Sequence, residues 1–174
     1  MKEFKISVFL TCFSIICPLC ASGQSAPNTA EQEAINMIKQ IYSEVSGKNE
    51  SEVDWDKVRS FFIKEAVIVL KTSREGNTQF TVEEFIQDFK NFYNSSALGA
   101  SGFKEEVLRL KSQVYGDAGS ISVVYSANIL DSDRPVQKGI DFWLLSRVNN
   151  TWKVLGVSNE IIPPGEEIPG IFED

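Results

Sequence analysis

Four polar residues stand among apolar ones in three extended segments of the second half of the chain: Glu105, Arg109, Tyr125 and Asp141. Asp141 is the most isolated, because it lies in the aromatic and aliphatic run "KGIDFWLL", residues 138–145. Strand side chains alternate between two faces, so all four can face one cavity. A buried carboxylate without a partner is costly, so Asp141 must either pair with a donor or take up a proton.

Asp141 and Tyr125 are the candidate catalytic pair. A carboxyl group whose pKa is raised by burial can accept and return a proton, and a phenol can polarise a substrate carbonyl. The competing interpretation is structural, with Arg109 neutralising Asp141, or Glu105 pairing across strands with Lys138. The residues alone leave both interpretations open.

Histidine and cysteine set the limits on this chemistry. The 174-residue sequence contains no histidine, and its three cysteines, Cys12, Cys17 and Cys20, all lie near the N-terminus. Beyond that segment there is no thiolate or imidazole for a zinc site, and no cysteine nucleophile or serine–histidine triad. Proton transfer must use carboxylates, tyrosine, lysine or water, and we expect neither a metal nor a cofactor.

The N-terminal residues have the layout of a secretory signal peptide. Lys2 and Lys5 precede an apolar run over residues 6–17, and small residues follow as far as Gly23. We therefore expect residues 1–23 to be removed by cleavage near the bond between Gly23 and Gln24. The mature protein would be secreted or periplasmic.

This segment does not predict a lasting membrane anchor. The apolar run in residues 6–17 is shorter than the roughly 20 residues that a spanning helix needs. Leu19 is a poor residue to precede Cys20 at a lipoprotein cleavage site, which disfavours lipidation. The net charge of −7, without a basic cluster, argues against binding to nucleic acid or to an anionic membrane surface.

The remaining sequence predicts a linker over residues 24–30, one folded domain over 31–160 and a Pro/Gly-rich acidic tail over 161–174. The first half of the domain is helical. Apolar residues recur at spacings of three and four from Glu31 until Gly47 ends the helix. Three residues are candidate N-caps, the first and third with a capping-box partner: Thr29 with Gln32, Asp54, and Thr81 with Glu84.

Strands dominate the second half of the domain. One short strand is predicted over residues 66–71, and four longer ones over 103–115, 120–130, 139–148 and 152–160. The order of elements predicts an α+β fold in which N-terminal helices pack on the concave face of a curved, mainly antiparallel sheet. Both faces of the strand that carries Asp141 are apolar, so we expect the outer face to meet a second subunit in a homodimer.

Several stretches resemble the nuclear-transport-factor-two-like superfamily, in the small bacterial secreted branch of the SnoaL-like and ketosteroid-isomerase-like domains. They are spread over residues 31–160 in the family's order: "IYSEVSG", "DWDKVRSFF", "GFKEEVLR", "VVYSANI", "KGIDFWLL" and "NNTWKVLGVSNE". The resemblance implies a cone-shaped, cystatin-like α+β barrel, a deep pocket for a small apolar organic ligand, and dimers through the outer sheet face.

By position, the resemblance implies that Glu105 and Arg109 face the pocket with Tyr125 and Asp141, and that Tyr42 and Trp55 add to its wall. Aromatic residues such as Phe89 and Trp143 are further candidates to line a cavity that is mainly apolar. Because the chain lacks histidine, the histidine-based dehydration of some family enzymes is excluded.

These observations predict an exported small-molecule-binding domain with an apolar pocket and without catalysis. A pocket without histidine has fewer groups that titrate near neutral pH, which favours binding over chemistry. The alternative is a cofactor-free isomerase or dehydratase that uses a pocket carboxylate and a tyrosine. Many proteins of this fold have no known catalysis, so the fold leaves the choice open.

Overall fold

A computed structural model describes residues 29–73, 76–95 and 101–172. The predicted signal peptide, residues 1–23, and most of the predicted linker lie outside these ranges. Within them, no helix is both long and apolar enough to cross a bilayer.

Helices and strands follow one another in the order expected for an α+β domain. The helices are α1 (Thr29–Glu44), α2 (Trp55–Ser60) and α3 (Val82–Tyr93). The strands are β1 (Phe62–Ser73), β2 (Gly76–Phe80), β3 (Phe103–Tyr115), β4 (Ala118–Ile129), β5 (Gln137–Val148) and β6 (Thr151–Ile162). Short 3-10 helices occur at Glu50–Glu52 and Gly170–Phe172.

The caps of α2 and α3 form as the sequence predicts. Asp54 accepts a hydrogen bond from the Lys57 amide at 2.9 Å. The Thr81 hydroxyl accepts from the Glu84 amide at 3.3 Å, while the Glu84 carboxylate accepts from the Thr81 amide at 2.8 Å. Each bond satisfies a backbone N–H that has no partner inside its helix. The first helix differs, because Thr29 is already helical and so lies inside α1 rather than capping it.

The six strands form one open, curved sheet in the order β2-β1-β6-β5-β4-β3. All neighbouring pairs are antiparallel except β1 and β6, which are parallel. The predicted α+β class and mainly antiparallel sheet are confirmed, and the sheet does not close into a barrel.

The four long strands β3 to β6 begin and end within two residues of their predicted bounds. Strand β1 is longer than predicted, and the sequence did not predict β2. The segment Gly76–Phe80 is a mostly exposed edge strand without apolar alternation, so the sequence resembled a turn. Between β5 and β6, Asn149 and Asn150 have φ values of 50° and 61°, which confirms the predicted tight hairpin.

The main core lies between the helices and one face of the sheet, which we call the inner face. Its fully buried side chains include one from α1 and one from each of four strands: Ile38, Ile68, Ile121, Leu145 and Val154. Burying each such side chain contributes about 1.5–3 kcal/mol relative to exposure. In this core α1 packs on the inner face, mainly against β3, and its Tyr42 reaches Asp141 of β5.

The opposite face, which we call the outer face, is covered only in part. Phe172 in the C-terminal tail is 3% exposed and packs with Val124 and Ile140 in a small second cluster. Phe142 and Leu144, on the same face of β5, remain 46% and 55% exposed. The tail therefore shields one end of the outer face and leaves apolar side chains uncovered at the other.

Candidate functional site

Two connected cavities lie between the helices and the inner face. The inner chamber has a volume of about 70 Å³, and the outer cavity has about 380 Å³. Five residues line both, which makes them the boundary between the two spaces: Leu70, Phe89, Glu105, Tyr125 and Asn159. The arrangement is a cavity that narrows toward the centre of the domain.

Asp141 lines the inner chamber and is 7% exposed. Its partner is Tyr42 on α1, whose hydroxyl donates to Oδ2 of Asp141. The indole nitrogen Nε1 of Trp143 in turn donates to the Tyr42 hydroxyl oxygen at 3.2 Å. An indole N–H can only donate, so this contact orients the tyrosine proton toward the carboxylate. Alternation along β5 puts Asp141 and Trp143 on the same face, as the sequence predicts.

Two carboxyl groups of this site have raised pKa values. Burial raises the pKa of Asp141 to about 7, although the hydrogen bond from Tyr42 acts in the opposite direction. Burial, followed by repulsion from Asp141, raises the pKa of Glu105 to about 8. Both shifts have the same main cause, because burial disfavours the charged form of each carboxyl group.

Tyr125 lies over Gly139, its neighbour across the strands. A Cβ atom built on Gly139 would approach the Tyr125 hydroxyl to 2.4 Å, so only glycine leaves room for this ring. The Tyr125 hydroxyl accepts from Nδ2 of Asn159 at 3.2 Å. Burial, and then the charge of Asp141, raise the pKa of Tyr125, so the phenol stays protonated at physiological pH.

The prediction that Arg109 faces the cavity and pairs with Asp141 is wrong. A β-bulge lies between Val107 and Arg109, so Val107 pairs with Tyr125 while Arg109 pairs with Val124. The extra residue, Leu108, reverses the alternation and turns Arg109 to the outer face. There its Nη1 donates to the Phe172 carbonyl at 3.4 Å. Lys138, the predicted cross-strand partner of Glu105, lies on the face of β5 opposite to Asp141. In the described ranges it forms no ion pair with Glu105.

Trp55 is a core residue rather than part of the cavity wall. Its ring packs against Phe89 and Tyr93 at centroid distances of 6.2 and 6.1 Å. It borders neither cavity. Of the predicted ligand-binding set, Tyr42, Trp143, Phe89 and Glu105 line the cavities, whereas Trp55 and Arg109 do not.

Sequence reasoning missed Asn159. Its Oδ1 accepts from the Lys71 amide of β1 at 2.6 Å, while its Nδ2 donates to Tyr125. Strict alternation from Trp152 would put Asn159 on the outer face. A second bulge, at Leu155 in β6, shifts the register and brings Asn159 opposite Asp141. No local sequence signal announces this bulge.

This constellation can bind a small molecule and exchange a proton with it. The described residues contain no group of three or more potential ligands that could hold a metal ion. The inner chamber is lined by two carboxyl groups, two phenols, an indole and an amide among apolar side chains, and the outer cavity adds Lys71, Asp88, Arg134 and Gln137. Such sites orient a ligand by a few polar contacts in an apolar enclosure.

Comparison with known proteins identifies the fold. No family sequence model matches the chain, and no curated protein matches it. The structure of an NTF2-like protein of unknown function from Pseudomonas putida KT2440 matches with a TM-score of 0.61 at 13% identity, covering 75% of this chain and 85% of that chain.

Two proteins with a cystatin-like fold match to a similar extent. The one from Nostoc punctiforme PCC 73102 has a TM-score of 0.58 at 13% identity, covering 76% of this chain and 91% of that chain. The one from Caulobacter vibrioides has a TM-score of 0.58 at 12% identity, covering 77% of this chain and 91% of that chain. At these identities the likeness establishes the fold alone.

Proposed function

We propose that this chain, which has the α+β fold of NTF2-like proteins, is an exported domain that binds a small organic molecule and does not transform it. The observation that carries the proposal is the pair of connected cavities whose walls are mainly aromatic and aliphatic and whose inner end holds Asp141 and Glu105. The outer cavity, at about 380 Å³, falls within the usual size range of ligand sites.

Export and dimerisation belong to the same proposal. Export is supported by the N-terminal pattern of Lys2, Lys5 and the apolar run over residues 6–17. Dimerisation is supported by the uncovered Phe142 and Leu144, which continue an apolar outer face. Both can be tested on protein recovered from the secreting host, where N-terminal sequencing would give Gln24 as the first residue.

The binding proposal is tested by native mass spectrometry of the exported protein. We expect a bound species of small-molecule mass that denaturation releases. Ala127→Trp would fill the outer cavity, which Ala127 lines, and would abolish this species in a protein that still folds by circular dichroism. Arg109→Ala, on the outer face, is the control and would retain it. A protein without a bound species that also binds nothing in a fragment screen by NMR would refute the proposal.

A second candidate function is proton transfer on the bound molecule. The observation that favours it is the hydrogen bond from Tyr42 to Asp141, a carboxyl group with a pKa of about 7. Such a group can remove a proton from a carbon next to a carbonyl and return it to another carbon, which is an isomerisation. Loss of deuterium from a labelled, co-purified ligand, abolished by Asp141→Asn, would favour this candidate over binding alone.

A further inference from the structure

In the part of the chain that the structure describes, no cation is paired with the carboxyl groups of Asp141 and Glu105. Arg109 is on the outer face, and Lys71 at the outer cavity is paired with Glu160. Arg134 borders the outer cavity but not the inner chamber. Lys39 and Lys104 border a surface pocket with Glu105, where Lys104 is paired with Glu106. Among the described residues, no basic side chain forms an ion pair with the carboxylate of Asp141 or Glu105.

Ionisation of these two carboxyl groups raises the free energy of the folded protein. Ionising a group that is shielded from water is unfavourable, and two like charges in one cavity repel each other as well. Asp141 is 7% exposed, and Tyr42 is the only donor that contacts its carboxylate in the described ranges. No hydrogen bond to the Glu105 carboxylate is formed there, although it lines both cavities. A positively charged ligand would offset the unfavourable free energy of the two ionised carboxylates.

The walls suit a cation with a hydrocarbon body. Tyr42 and Trp143 line the inner chamber, and Phe89 lines both spaces. Aromatic faces attract cations, most strongly when water is excluded. The inner chamber, at about 70 Å³, has room for a polar head group, since a water molecule takes about 30 Å³ of liquid volume. The larger outer cavity has room for the rest of the molecule.

We propose that the ligand is a protonated organic amine, whose ammonium group is held in the inner chamber by Asp141 and Glu105 and whose apolar body extends along Phe89 into the outer cavity. This deepens the proposed function and rests on it. An anion in the same place would add a third negative charge, and an uncharged ligand would leave the carboxylates without a countercharge.

Binding of such a ligand is coupled to proton release. The ammonium stabilises the ionised carboxylates, so the affinity rises as the pH increases from about 6 to about 8.5, the range in which the two raised pKa values lie. Tyr42, Tyr93 and Tyr125 also face the two carboxyls, and their pKa values are raised, so they stay neutral over this range. On the surface side of Glu105 the neighbouring charged residues are Lys39, Lys104 and Glu106. Lys71, Asp88 and Arg134 are the charged residues that line the outer cavity beyond Glu105.

The test uses three probes of similar size that differ in charge: 2-phenylethylamine, 2-phenylethanol and 3-phenylpropanoate. Isothermal titration calorimetry with ligand-free full-length protein is expected to show at least about tenfold tighter binding of the amine than of the other two. Repeating the titration in buffers of different ionisation enthalpy is expected to show that amine binding releases protons. This measurement uses the wild-type protein alone.

Two variants and a matched control locate the effect. Asp141→Asn and Glu105→Gln each remove one acid without changing shape and are expected to weaken amine binding about tenfold or more. Glu106→Gln makes the same charge change at the next residue along β3, where Glu106 pairs with Lys104, and is expected to change the affinity less than twofold.

The outcomes separate this inference from the binding proposal. If the alcohol or the carboxylate binds as tightly as the amine, the inference is refuted while small-molecule binding stands. If native mass spectrometry finds a co-purified molecule that contains no basic nitrogen, the inference is likewise refuted. If no protons are released on amine binding, the ammonium does not sit at the two acids, and the proposed placement fails.

Discussion

The hydroxyl of Tyr42 on α1 donates to Oδ2 of Asp141 on β5, joining two residues that lie 99 positions apart in the chain. This bond is the polar contact between the first helix and the deepest acid of the cavity. It stabilises the ionised form of Asp141, while burial favours the neutral form and prevails. The pKa of Asp141 is therefore set by the packing of α1 on the sheet.

Tyr42→Phe is expected to raise the pKa of Asp141 further above about 7, because the donor to its charged form is lost. The rise is about one unit if the bond contributes a typical charge-assisted hydrogen bond. Carboxyl-carbon NMR titration measures it. Tyr93→Phe removes a hydroxyl that donates to the Val45 carbonyl instead, and it is expected to leave the Asp141 titration unchanged. An unchanged or lower Asp141 pKa in Tyr42→Phe would contradict this.

The free energy of unfolding is expected to fall as the pH rises from about 5 to about 8.5. Asp141 and Glu105 have folded-state pKa values of about 7 and 8, above their ordinary values, so the folded state binds more protons than the unfolded state in this window. Each pKa unit corresponds to roughly 1.4 kcal/mol, so the decrease is of the order of a few kcal/mol.

Urea unfolding at a series of pH values measures this slope. Asp141→Asn and Glu105→Gln each flatten it, while Glu106→Gln does not. The lowered pKa values of Glu83 and Glu160 act in the opposite sense, but their contribution is lost only when the pH falls below about 4.5. A wild-type stability that is constant or rises between pH 5 and about 8.5 would show that the two acids are not buried as described.

Gly139→Ala is expected to destabilise the fold by about 1–3 kcal/mol, because the new Cβ overlaps the Tyr125 ring and forces it to move. Gly76→Ala is the matched control, since a Cβ there meets nothing within 4 Å. Denaturant unfolding measures both variants. Tyr125→Leu removes the ring, so adding it to Gly139→Ala is expected to recover part of the lost stability. If the double variant loses as much unfolding free energy as the two single variants together, the contact is contradicted.

Phe172→Ala is expected to lower the free energy of unfolding by about 2–4 kcal/mol, since its ring covers Val124 and Ile140 on the outer face. The neighbouring Ile171 is 67% exposed, so Ile171→Ala serves as the control and is expected to change stability by less than about 0.5 kcal/mol. Chemical denaturation of the two variants gives the comparison. Equal effects would mean that the tail does not pack on the sheet.

Leu144→Glu is expected to convert the proposed dimer to a monomer, because it introduces a charge into the uncovered apolar part of the outer face. Analytical ultracentrifugation measures the change in mass. Tyr115→Glu alters an exposed aromatic residue at the end of β3 and serves as the control. A wild-type protein that sediments as a monomer at all concentrations would remove the basis for the dimer.

Local patterns were enough to predict most of the elements. The capping residues Asp54 and Thr81, the alternation of β5 and the Asn149–Asn150 hairpin all act over a few residues, and each forms as predicted. The inward orientation of Asp141 follows from the same short-range rule. The N-terminal segment predicts export by its own composition, a prediction that concerns residues outside the described structure.

Long-range packing decided the membership of the site. The bulge at Leu108 removes Arg109 from the cavity, and the bulge at Leu155 brings Asn159 into it. One extra residue reverses every later side chain in a strand, and its position depends on how neighbouring strands pair and curve. The partner of Asp141 is likewise a tertiary outcome, because Tyr42 reaches it only when α1 docks on the sheet. Side-chain periodicity is local, whereas register and docking depend on the whole sheet.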